Sequence, residues 1–506
     1  MSGAWSRVPE LLASHVLLAA AALLLGLAVA LPLSVWAARN RHVARIALGL
    51  ASLVQTIPAL ALLALFYPVL LAISALVGGG IPALGFLPSL LALALYALLP
   101  ILRNGVAGLT GIDPAVREAA DGVGMTAGQK LRIVEAPLAA PVVMAGIRTA
   151  AVWTIGAATL STTVGYPSLG DLIFAGLQTQ DWTLVTAGCL AAAALALLAD
   201  ALLGLVERGI KLRRKALVWL GTALLLIGSA TALAPRLVPQ RPVVTIGAKN
   251  FSEQYILARL IGRRLEAAGY QVRYREGLGS AVIFRALASG DVDVYVDYAG
   301  TLWTNEMKRR DIPEPARMAE EIGRWATREH HVKLIGALGF ENAYAIAVRG
   351  SDAQRLKLRS LDDLAREAPH MVLGSDLEFL ERPEWAAVRD AYGLRFAATR
   401  GYSPTFMYRA IDSGAADAIS AFSSDGRIAA QKLVVLADPR HAIPSYDALL
   451  LVAPAHANDR RFIDVLRPLT GRTGVEAMRA ANYSVDRDRN KRTPDQAAAW
   501  LDAQLR

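Results

Sequence analysis

The stretch "REAADGVGMTAGQKLRIVEAPLAAP", residues 117–141, lies between two long apolar runs and decides which fold the sequence predicts. Charged side chains are costly inside a bilayer. The stretch carries six of them: Arg117, Glu118, Asp121, Lys130, Arg132 and Glu135. Apolar side chains are interleaved with these charges, so the stretch is not a simple solvated loop. The sequence therefore predicts a helix outside the bilayer that docks on a soluble partner.

Composition divides the 506 residues into two halves. Residues 11–235 are dominated by Leu, Ala, Val and Gly, whereas charged residues reach an ordinary soluble frequency from about residue 241. The net charge of +10 is not gathered into one stripe, and its clusters beside apolar runs favour lipid headgroups over nucleic acid as the partner. Cys189, the sole cysteine, excludes a disulfide framework and a cysteine-based metal site.

A membrane-spanning helix needs about 20 apolar residues. The sequence offers six candidates: 11–36, 46–73, 85–102, 138–161, 183–206 and 216–235. Pro58 and Pro68 are expected to kink the second span. The first run is too long for a signal peptide, so we expect it to be retained.

Lysines and arginines set the orientation of the spans, because cytoplasmic loops carry the positive excess. Three basic connections alternate with two loops that have no Lys or Arg. The basic residues are Arg39, Arg41, Arg45, Arg117, Lys130, Arg132, Arg208, Lys211, Arg213, Arg214 and Lys215. This pattern predicts a multi-pass protein of the inner or plasma membrane, with residues 117–141 in the cytoplasm and residues 240–506 on the outer face.

The opening stretch resembles the EAA loop of bacterial ABC importer permeases. The matching residues are Glu118, Ala119, Ala120, Gly124, Ile133 and Pro137. Ala136 stands where the family usually has leucine. The resemblance implies a coupling helix that fits a cleft on a cytoplasmic ATPase subunit. We expect Gly124 to allow a sharp bend and Pro137 to stop the helix before the next span.

The chain contains no G-x-x-x-x-G-K-[ST] phosphate loop. The nearest approach, "GMTAGQK", has the wrong spacing and no hydroxyl after its lysine. The sequence therefore predicts no cofactor in this chain, with ATP used by a separate ATPase dimer.

After residue 240 the pattern changes to short β-branched strands that alternate with amphipathic helices. "VVTIGAKN", "YQVRYREG" and "VDVYVDYAG" are predicted strands, and "SEQYILARLIGRRLEAAG" and "SAVIFRALASG" are predicted helices. The repeated βαβ order predicts parallel sheets in two lobes with helices on both faces. "ENAYAIAVRG" and "HAIPSYDALLLVAP" are predicted to be the crossover strands between the lobes.

This half resembles the periplasmic binding proteins that take up glycine betaine, proline betaine, carnitine and choline. The matching stretches are "GAKNFSEQYIL", "GDVDVYVDYAGTLWT", "LGFENAYAIAVR", "EFLERPEW", "AFSSDGRI" and "PSYDALL". Some members of this family fuse the permease and the binding domain in one chain. The resemblance implies an importer subunit that works as a permease homodimer.

The resemblance also implies ligand residues. A quaternary ammonium group donates no hydrogen bond, so aromatic faces must enclose it. The family's aromatic positions fall on Tyr298, Tyr344, Phe422 and Tyr446, with Phe422 replacing the commoner tyrosine. Its positions for a carboxylate and other polar groups fall on Lys249, Arg382, Thr301, Asn342 and Gln254. The paired basic positions favour a zwitterion such as glycine betaine over choline, and leave ergothioneine and carnitine open.

We therefore expect an all-α membrane domain of about six spans followed by a two-lobed α/β binding domain. The expected boundaries are 1–215 for the permease, 216–240 for the last span and linker, and 241–506 for the binding domain. A membrane-tethered sensor is the alternative, but the cytoplasmic side has only short loops. No acid–base pair or nucleophile supports an enzyme. His330 and His331 point apart on a helix, so no metal site is expected.

Overall fold

The structure, a computed structural model, describes residues 2–78, 81–179, 181–237, 243–487 and 489–505. The chain forms two compact units, one of Met1–Phe174 with Trp182–Gln240 and one of Ala175–Asp181 with Arg241–Arg506. The first is helical and apolar and the second is α/β, which confirms the predicted fold class. The proline-rich stretch "LAPRLVPQRP" spans residues 233–242, and its second half, residues 238–242, lies outside the described residues.

Ten α-helices precede residue 241 in the described part of the chain, and all belong to the first unit except for residues 175–179 at the end of one of them, which belong to the second. They are α1 (Ser2–Arg39), α2 (Arg41–Thr56), α3 (Ala59–Leu76), α4 (Phe86–Thr110), α5 (Pro114–Gly122), α6 (Ala127–Gln129), α7 (Ala136–Ala158), α8 (Gly170–Thr179), α9 (Trp182–Lys211) and α10 (Lys215–Leu237). A π-helical segment, Lys130–Glu135, joins α6 to α7, and a 3₁₀ segment, Thr159–Val164, follows α7. Five stretches are long and apolar enough to cross a membrane: Ala4–Arg39, Phe86–Thr110, Ala127–Val164, Trp182–Lys211 and Lys215–Ala234.

The second predicted span is broken rather than kinked. Helices α2 and α3 meet at an angle of 103°. Pro58 cannot continue a helix and restricts Ile57, which is extended at φ −75° and ψ 125°. Pro68, by contrast, lies inside α3 without ending it. Among the described residues, five helices are therefore long and apolar enough to span a membrane, or up to six candidates if this bent pair counts as one.

Small residues let the main spanning helices pack closely. A Cβ added to Gly105 on α4 would lie 2.6 Å from the Ser34 side chain of α1. One added to Gly146 on α7 would lie 2.6 Å from the Pro100 carbonyl oxygen of α4. Close approach of this kind drives helix association where lipid competes for apolar contacts.

The second unit alternates strands and helices. Its strands are β1 (Val243–Lys249), β2 (Gln271–Leu278), β3 (Val294–Tyr298), β4 (Lys333–Glu341), β5 (Tyr344–Arg349), β6 (Val372–Asp376), β7 (Ala398–Tyr402), β8 (Ala418–Phe422), β9 (Leu433–Val435) and β10 (Asp447–Val452). Its α-helices are α11 (Ser252–Ala267), α12 (Ser280–Ala288), α13 (Ala299–Thr301), α14 (Pro315–His330), α15 (Gly350–Leu356), α16 (Leu361–Glu367), α17 (Leu377–Glu381), α18 (Pro383–Tyr392), α19 (Pro404–Asp412), α20 (Arg427–Ala430), α21 (Arg460–Leu466), α22 (Val475–Asp486) and α23 (Pro494–Gln504).

The strands form two five-stranded sheets, which define a first and a second lobe. Their orders are β2-β1-β3-β10-β4 and β7-β6-β8-β5-β9. The chain crosses between the sheets from β4 to β5 and returns from β9 to β10, so the two predicted crossovers are confirmed.

The expectation of purely parallel sheets was wrong. β1, β2 and β3 are parallel, but β10 runs antiparallel to β3 and β4, and β5 runs antiparallel to β8 and β9. β5 and β10 each follow a crossover and begin at the edge where the parallel strands end, since Tyr344 pairs with Phe422 and Ala448 pairs with Tyr298. In both lobes the parallel strands still end at a common edge, where ligands bind in open α/β sheets.

Candidate functional site

A cavity of about 250 Å³ lies at the carboxyl ends of the strands of the second unit. β1 ends at Lys249, β3 at Tyr298, β6 at Asp376 and β8 at Phe422, and all four residues line it. Of the nine predicted ligand residues, eight lie on its wall: Lys249, Tyr298, Thr301, Asn342, Tyr344, Arg382, Phe422 and Tyr446. A cavity of this size holds a small metabolite.

The aromatic side chains form a continuous wall. The Tyr344 ring centroid lies 5.1 Å from that of Phe422 and 5.8 Å from that of Tyr446. Phe251, which was not predicted, stacks on Phe422 with centroids 6.1 Å apart and planes 2° apart. Burial raises the pKa of the Tyr344 and Tyr446 phenols well above the usual value, so both rings stay neutral. Neutral aromatic faces are what a quaternary ammonium group binds.

The charge of Lys249 is balanced by a carboxylate of the protein itself. Its Nζ donates to Asp297, and both side chains are buried. Asp297 also accepts from the Tyr295 hydroxyl at 2.6 Å and from the Tyr298 amide at 2.7 Å. The Lys249 Nζ lies 5.2 Å from the centroid of the Tyr298 ring. Lys249 therefore shapes the floor of the cavity while its charge is balanced from behind.

Arg382 lies between α17 and α18 and is 6% exposed. Its Nη2 donates to Glu378 at 2.5 Å, and its Nη1 is 3.4 Å from Glu384. Nη1 also approaches the Tyr446 hydroxyl at 3.5 Å. Its Nε is buried and has no hydrogen-bond partner among the described residues. The Nε of Arg382 is therefore a buried donor that the described residues leave unpaired.

Three further predicted residues take different places. Thr301 lines the cavity from α13. Asn342 lines it from the crossover between β4 and β5, and its buried Oδ1 has no partner among the described residues. Gln254 does not lie on the wall: its Nε2 donates to the Tyr298 hydroxyl at 3.0 Å and to the Val296 carbonyl at 3.0 Å. Gln254 thus supports the Tyr298 ring from behind, which corrects its expected place in the cleft.

The sequence reasoning missed an acidic side of the cavity. Asp376 and Glu378 line it together with Asn250, Phe251, Ser280, Tyr402 and Ser403. Burial raises the pKa of Asp376 from 3.8 to about 6. The signal was present in "GSDLEFLERPEW", where Asp376 ends a buried strand and caps the next helix through the Phe379 amide at 2.9 Å.

The predicted coupling loop has an irregular backbone. Helix α5 ends at Gly122, and Gly124 adopts φ +78°, so the predicted bend is confirmed. The chain then passes through α6 and the π-helical segment directly into α7. Pro137 lies in the first turn of α7, directly after the π-helical segment, and the helix continues past it, so the expectation that it stops the helix was wrong. Val123 and Ile133 are 73% and 62% exposed, so the loop has apolar surface that a partner protein can cover.

Comparisons with known proteins match both halves. Residues 242–503 match the substrate-binding domain of ABC-type glycine betaine transport systems, and residues 30–212 match the inner membrane component of binding-protein-dependent transport systems. An ergothioneine transport permease/ergothioneine binding protein, EgtU, from Helicobacter pylori (strain G27) is 30% identical over 90% of this chain and 83% of its own length. The chain belongs to the quaternary ammonium (osmoprotectant) family of ABC importers.

Two further comparisons cover only part of the chain. The choline transport system permease protein OpuBB of Bacillus subtilis (strain 168) is 39% identical over 38% of this chain and 84% of its own length. A solved structure described as a glycine betaine/carnitine/choline ABC transporter aligns with 52% of this chain and 100% of its own, at 24% identity and a TM-score of 0.46.

Membership of the importer family gives the protein's general activity. The chain combines the permease and the binding domain for ABC-type import of quaternary ammonium or osmoprotectant-like substrates, and neither domain is of a catalytic family. The family implies an ATPase partner and a dimeric permease. The permease domain and its apolar spans imply the inner membrane.

Proposed function

We propose that the imported ligand is a zwitterion that carries a trimethylammonium group and a carboxylate. The observation that carries this proposal is the wall of one cavity, where neutral aromatic rings lie beside a buried arginine with an unpaired Nε. The rings bind the trimethylammonium group, and the arginine binds the carboxylate. Choline, which has a hydroxyl group but no carboxylate, would give the Arg382 guanidinium no anionic partner.

The aromatic wall supplies the cation end. Tyr298, Tyr344, Phe422 and Tyr446 come from both sheets and from both crossovers. Each desolvated cation–π contact contributes about 1–2 kcal/mol. Asp376, which lies on the same wall, adds negative charge when it is ionised.

Arg382 rather than Lys249 is the proposed carboxylate partner. The charge of Lys249 is balanced by the buried Asp297, whereas the main partner of Arg382, Glu378, has a side chain that is 46% exposed. Water can solvate Glu378 when a ligand carboxylate takes its place, so the exchange is cheaper than separating two buried charges. The unpaired Nε gives such a carboxylate an additional donor.

Within this class we favour ergothioneine over glycine betaine. Asn342 lines the cavity, and its Oδ1 is a buried acceptor without a partner among the described residues. An unsatisfied buried acceptor is costly, so a ligand that supplies a donor gains. Ergothioneine has ring N–H groups, whereas glycine betaine has no donor. The relative that matches 90% of the chain is named for ergothioneine.

The remaining predicted parts complete the transport cycle. The binding domain captures the ligand on the outer face, and a homodimer of the membrane domain forms the pore. The coupling loop, with Glu118, Ala119, Ala120, Gly124, Ile133 and Pro137, docks on the cytoplasmic ATPase. Gly124 with φ +78° and the exposed Ile133 support this placement.

The test is calorimetric titration of the full chain in lipid nanodiscs with ergothioneine, glycine betaine, carnitine and choline. We expect the zwitterions to bind more tightly than choline, and ergothioneine most tightly. Arg382→Gln should weaken zwitterion binding about 10- to 100-fold, as expected for loss of a hydrogen bond to a charged group, and should leave choline binding unchanged.

Arg389→Gln is the matched control, because Arg389 is a half-exposed arginine on α18 that pairs with Asp390 away from the cavity. It should bind every ligand as the wild type does. Tightest binding of choline by the wild type, or an equal loss for choline and the zwitterions in Arg382→Gln, would overturn the proposal.

A further inference from the structure

A fully buried carboxylate, Glu253, lies directly behind the aromatic wall. It occupies the first turn of α11 and is 3% exposed. Its Oε1 accepts from the Tyr298 hydroxyl at 2.6 Å and from Asn342 Nδ2 at 3.1 Å. Its Oε2 accepts from the Ser424 hydroxyl at 2.6 Å and from Asn482 Nδ2 at 2.7 Å. Four donors therefore converge on one side chain that does not itself line the main cavity.

These donors come from separate parts of the binding domain. Tyr298 ends β3 of the first lobe, and Asn342 lies in the crossover between β4 and β5. Ser424 follows β8 of the second lobe, and Asn482 belongs to α22. Two of the donors, Tyr298 and Asn342, also line the ligand cavity. A single carboxylate therefore connects the cavity wall of one lobe, a crossover and the other lobe.

A second set of contacts supports the same junction. The Ser252 hydroxyl on α11 bonds Asp486 at 2.5 Å. Asp486 on α22 lies 3.8 Å from Arg427 of the second lobe, which also pairs with Asp425. Asn482 Nδ2 also donates to the Ser424 carbonyl at 3.0 Å. The beginning of α11 is thus held against the second lobe at two neighbouring points.

Separation of the lobes would disrupt this arrangement. Ser424 would withdraw from Glu253, and this buried side chain would lose one of its four hydrogen bonds. Removal of one partner from a buried polar network costs more than the average hydrogen bond contributes, because the remaining group stays desolvated. The positions of Tyr298 and Asn342 and the position of the second lobe are therefore linked through the same side chain.

We propose that Glu253 is a positioning residue that links ligand occupancy of the cavity to the relative position of the two lobes. It holds Tyr298 and Asn342 where the ligand meets them, and through Ser424 it favours one lobe arrangement. A ligand that fixes Tyr298 and Asn342 then stabilises that arrangement as well. The inference rests on the proposed function in one respect, since it needs a ligand in this cavity.

The test uses three variants of the full chain in nanodiscs. Glu253→Gln replaces one carboxylate oxygen, which accepts from two donors, by an NH₂ group that cannot accept. Ser424→Ala removes only the hydrogen bond from the second lobe to Glu253. Glu276→Gln is the matched control, because Glu276 is also buried in the first lobe and pairs with Arg259 on α11 at 2.5 Å. Ser424→Ala deletes one hydroxyl and keeps the test valid if Glu253→Gln fails to fold.

Two readouts separate positioning from stability. The first is ergothioneine affinity, which we expect to fall at least tenfold in Glu253→Gln and several-fold in Ser424→Ala. The second is the distance between spin labels on the exposed positions Glu329→Cys and Asp390→Cys, in a Cys189→Ser background. Without ligand, both variants should broaden this distance distribution, and Glu276→Gln should match the wild type in both readouts.

Wild-type affinity and wild-type distances in Ser424→Ala would overturn the inference, and so would equal effects in Glu276→Gln. If no betaine binds the wild type, the proposed function fails on its own. The ligand-free distance distributions then still decide whether Glu253 and Ser424 hold the lobes.

Discussion

Replacement of Tyr344 by leucine should separate the attraction of the aromatic wall for a charge from its attraction for an apolar surface. Tyr344 is 7% exposed, and its ring lies within 4.6 Å of Phe379, 5.1 Å of Phe422 and 5.8 Å of Tyr446, measured between centroids. Leucine keeps most of the buried apolar volume and removes the π face. Loss of one desolvated cation–π contact is worth about 1–2 kcal/mol, or roughly a 5- to 30-fold weaker affinity.

The assay compares glycine betaine with 3,3-dimethylbutyrate, which has the same shape but a neutral tert-butyl group. Calorimetric titration should show that Tyr344→Leu weakens glycine betaine by this factor and 3,3-dimethylbutyrate much less. Tyr344→Phe, which keeps the ring, should behave as the wild type. An equal loss for both ligands in Tyr344→Leu would refute the reasoning, because the ring would then act only through shape.

Three further predictions address the coupling loop, the topology and the cavity acid. Gly124→Val, strained at φ +78°, should abolish ligand-stimulated ATP hydrolysis without changing ligand affinity, whereas Gly128→Ala should change neither. In intact cells that express the protein with Cys189 replaced by serine, an impermeant thiol reagent should label Val77→Cys but not Ala127→Cys. The reverse labelling would show that the predicted orientation is wrong. Because the pKa of Asp376 is raised from 3.8 to about 6, the folded domain keeps this proton up to a higher pH than the unfolded chain does. The contribution of the Asp376 proton to the free energy of unfolding is fully present below about pH 4 and is lost, by up to about 3 kcal/mol, as the pH rises to about 6. Asp376→Asn should reduce this dependence of the free energy of unfolding on pH, measured by urea unfolding. An unchanged pH dependence in the variant would contradict the prediction.

Periodicity and charge predicted most of the fold. The alternation of β1, α11, β2, α12 and β3 follows from buried strands and amphipathic helices, and the structure places these elements within a few residues of the predicted bounds. Strand direction could not be read in this way, because β10 is as apolar as a parallel strand and only the crossover connection makes it antiparallel.

Errors in the membrane domain arose at prolines. Pro58 breaks a span, Pro68 lies inside a helix, and Pro137 lies where the π-helical segment joins α7. The same residue type has these three outcomes because they depend on which backbone donors the neighbouring turn needs, and composition does not report that.

The cavity shows the same limit for side chains. Eight of the nine ligand residues that the family resemblance implies lie on its wall, but the partners that balance their charges do not follow from the motifs. Asp297 neutralises Lys249 from the same strand that ends in Tyr298, and Glu253 reaches Ser424 across a sequence separation of 171 residues. Contacts of this range become visible only when the lobes are assembled.

Uptake by proteoliposomes tests the central claim most directly. The full chain, reconstituted with the ATPase subunit of its transporter, should accumulate radiolabelled ergothioneine only when ATP is supplied. Excess unlabelled ergothioneine or glycine betaine should compete, choline should compete weakly, and Tyr344→Leu should need a higher ligand concentration for half-maximal uptake. Competition by choline as strong as that by the zwitterions, or tight ligand binding without ATP-dependent accumulation, would contradict import of a carboxylate-bearing trimethylammonium compound by this chain.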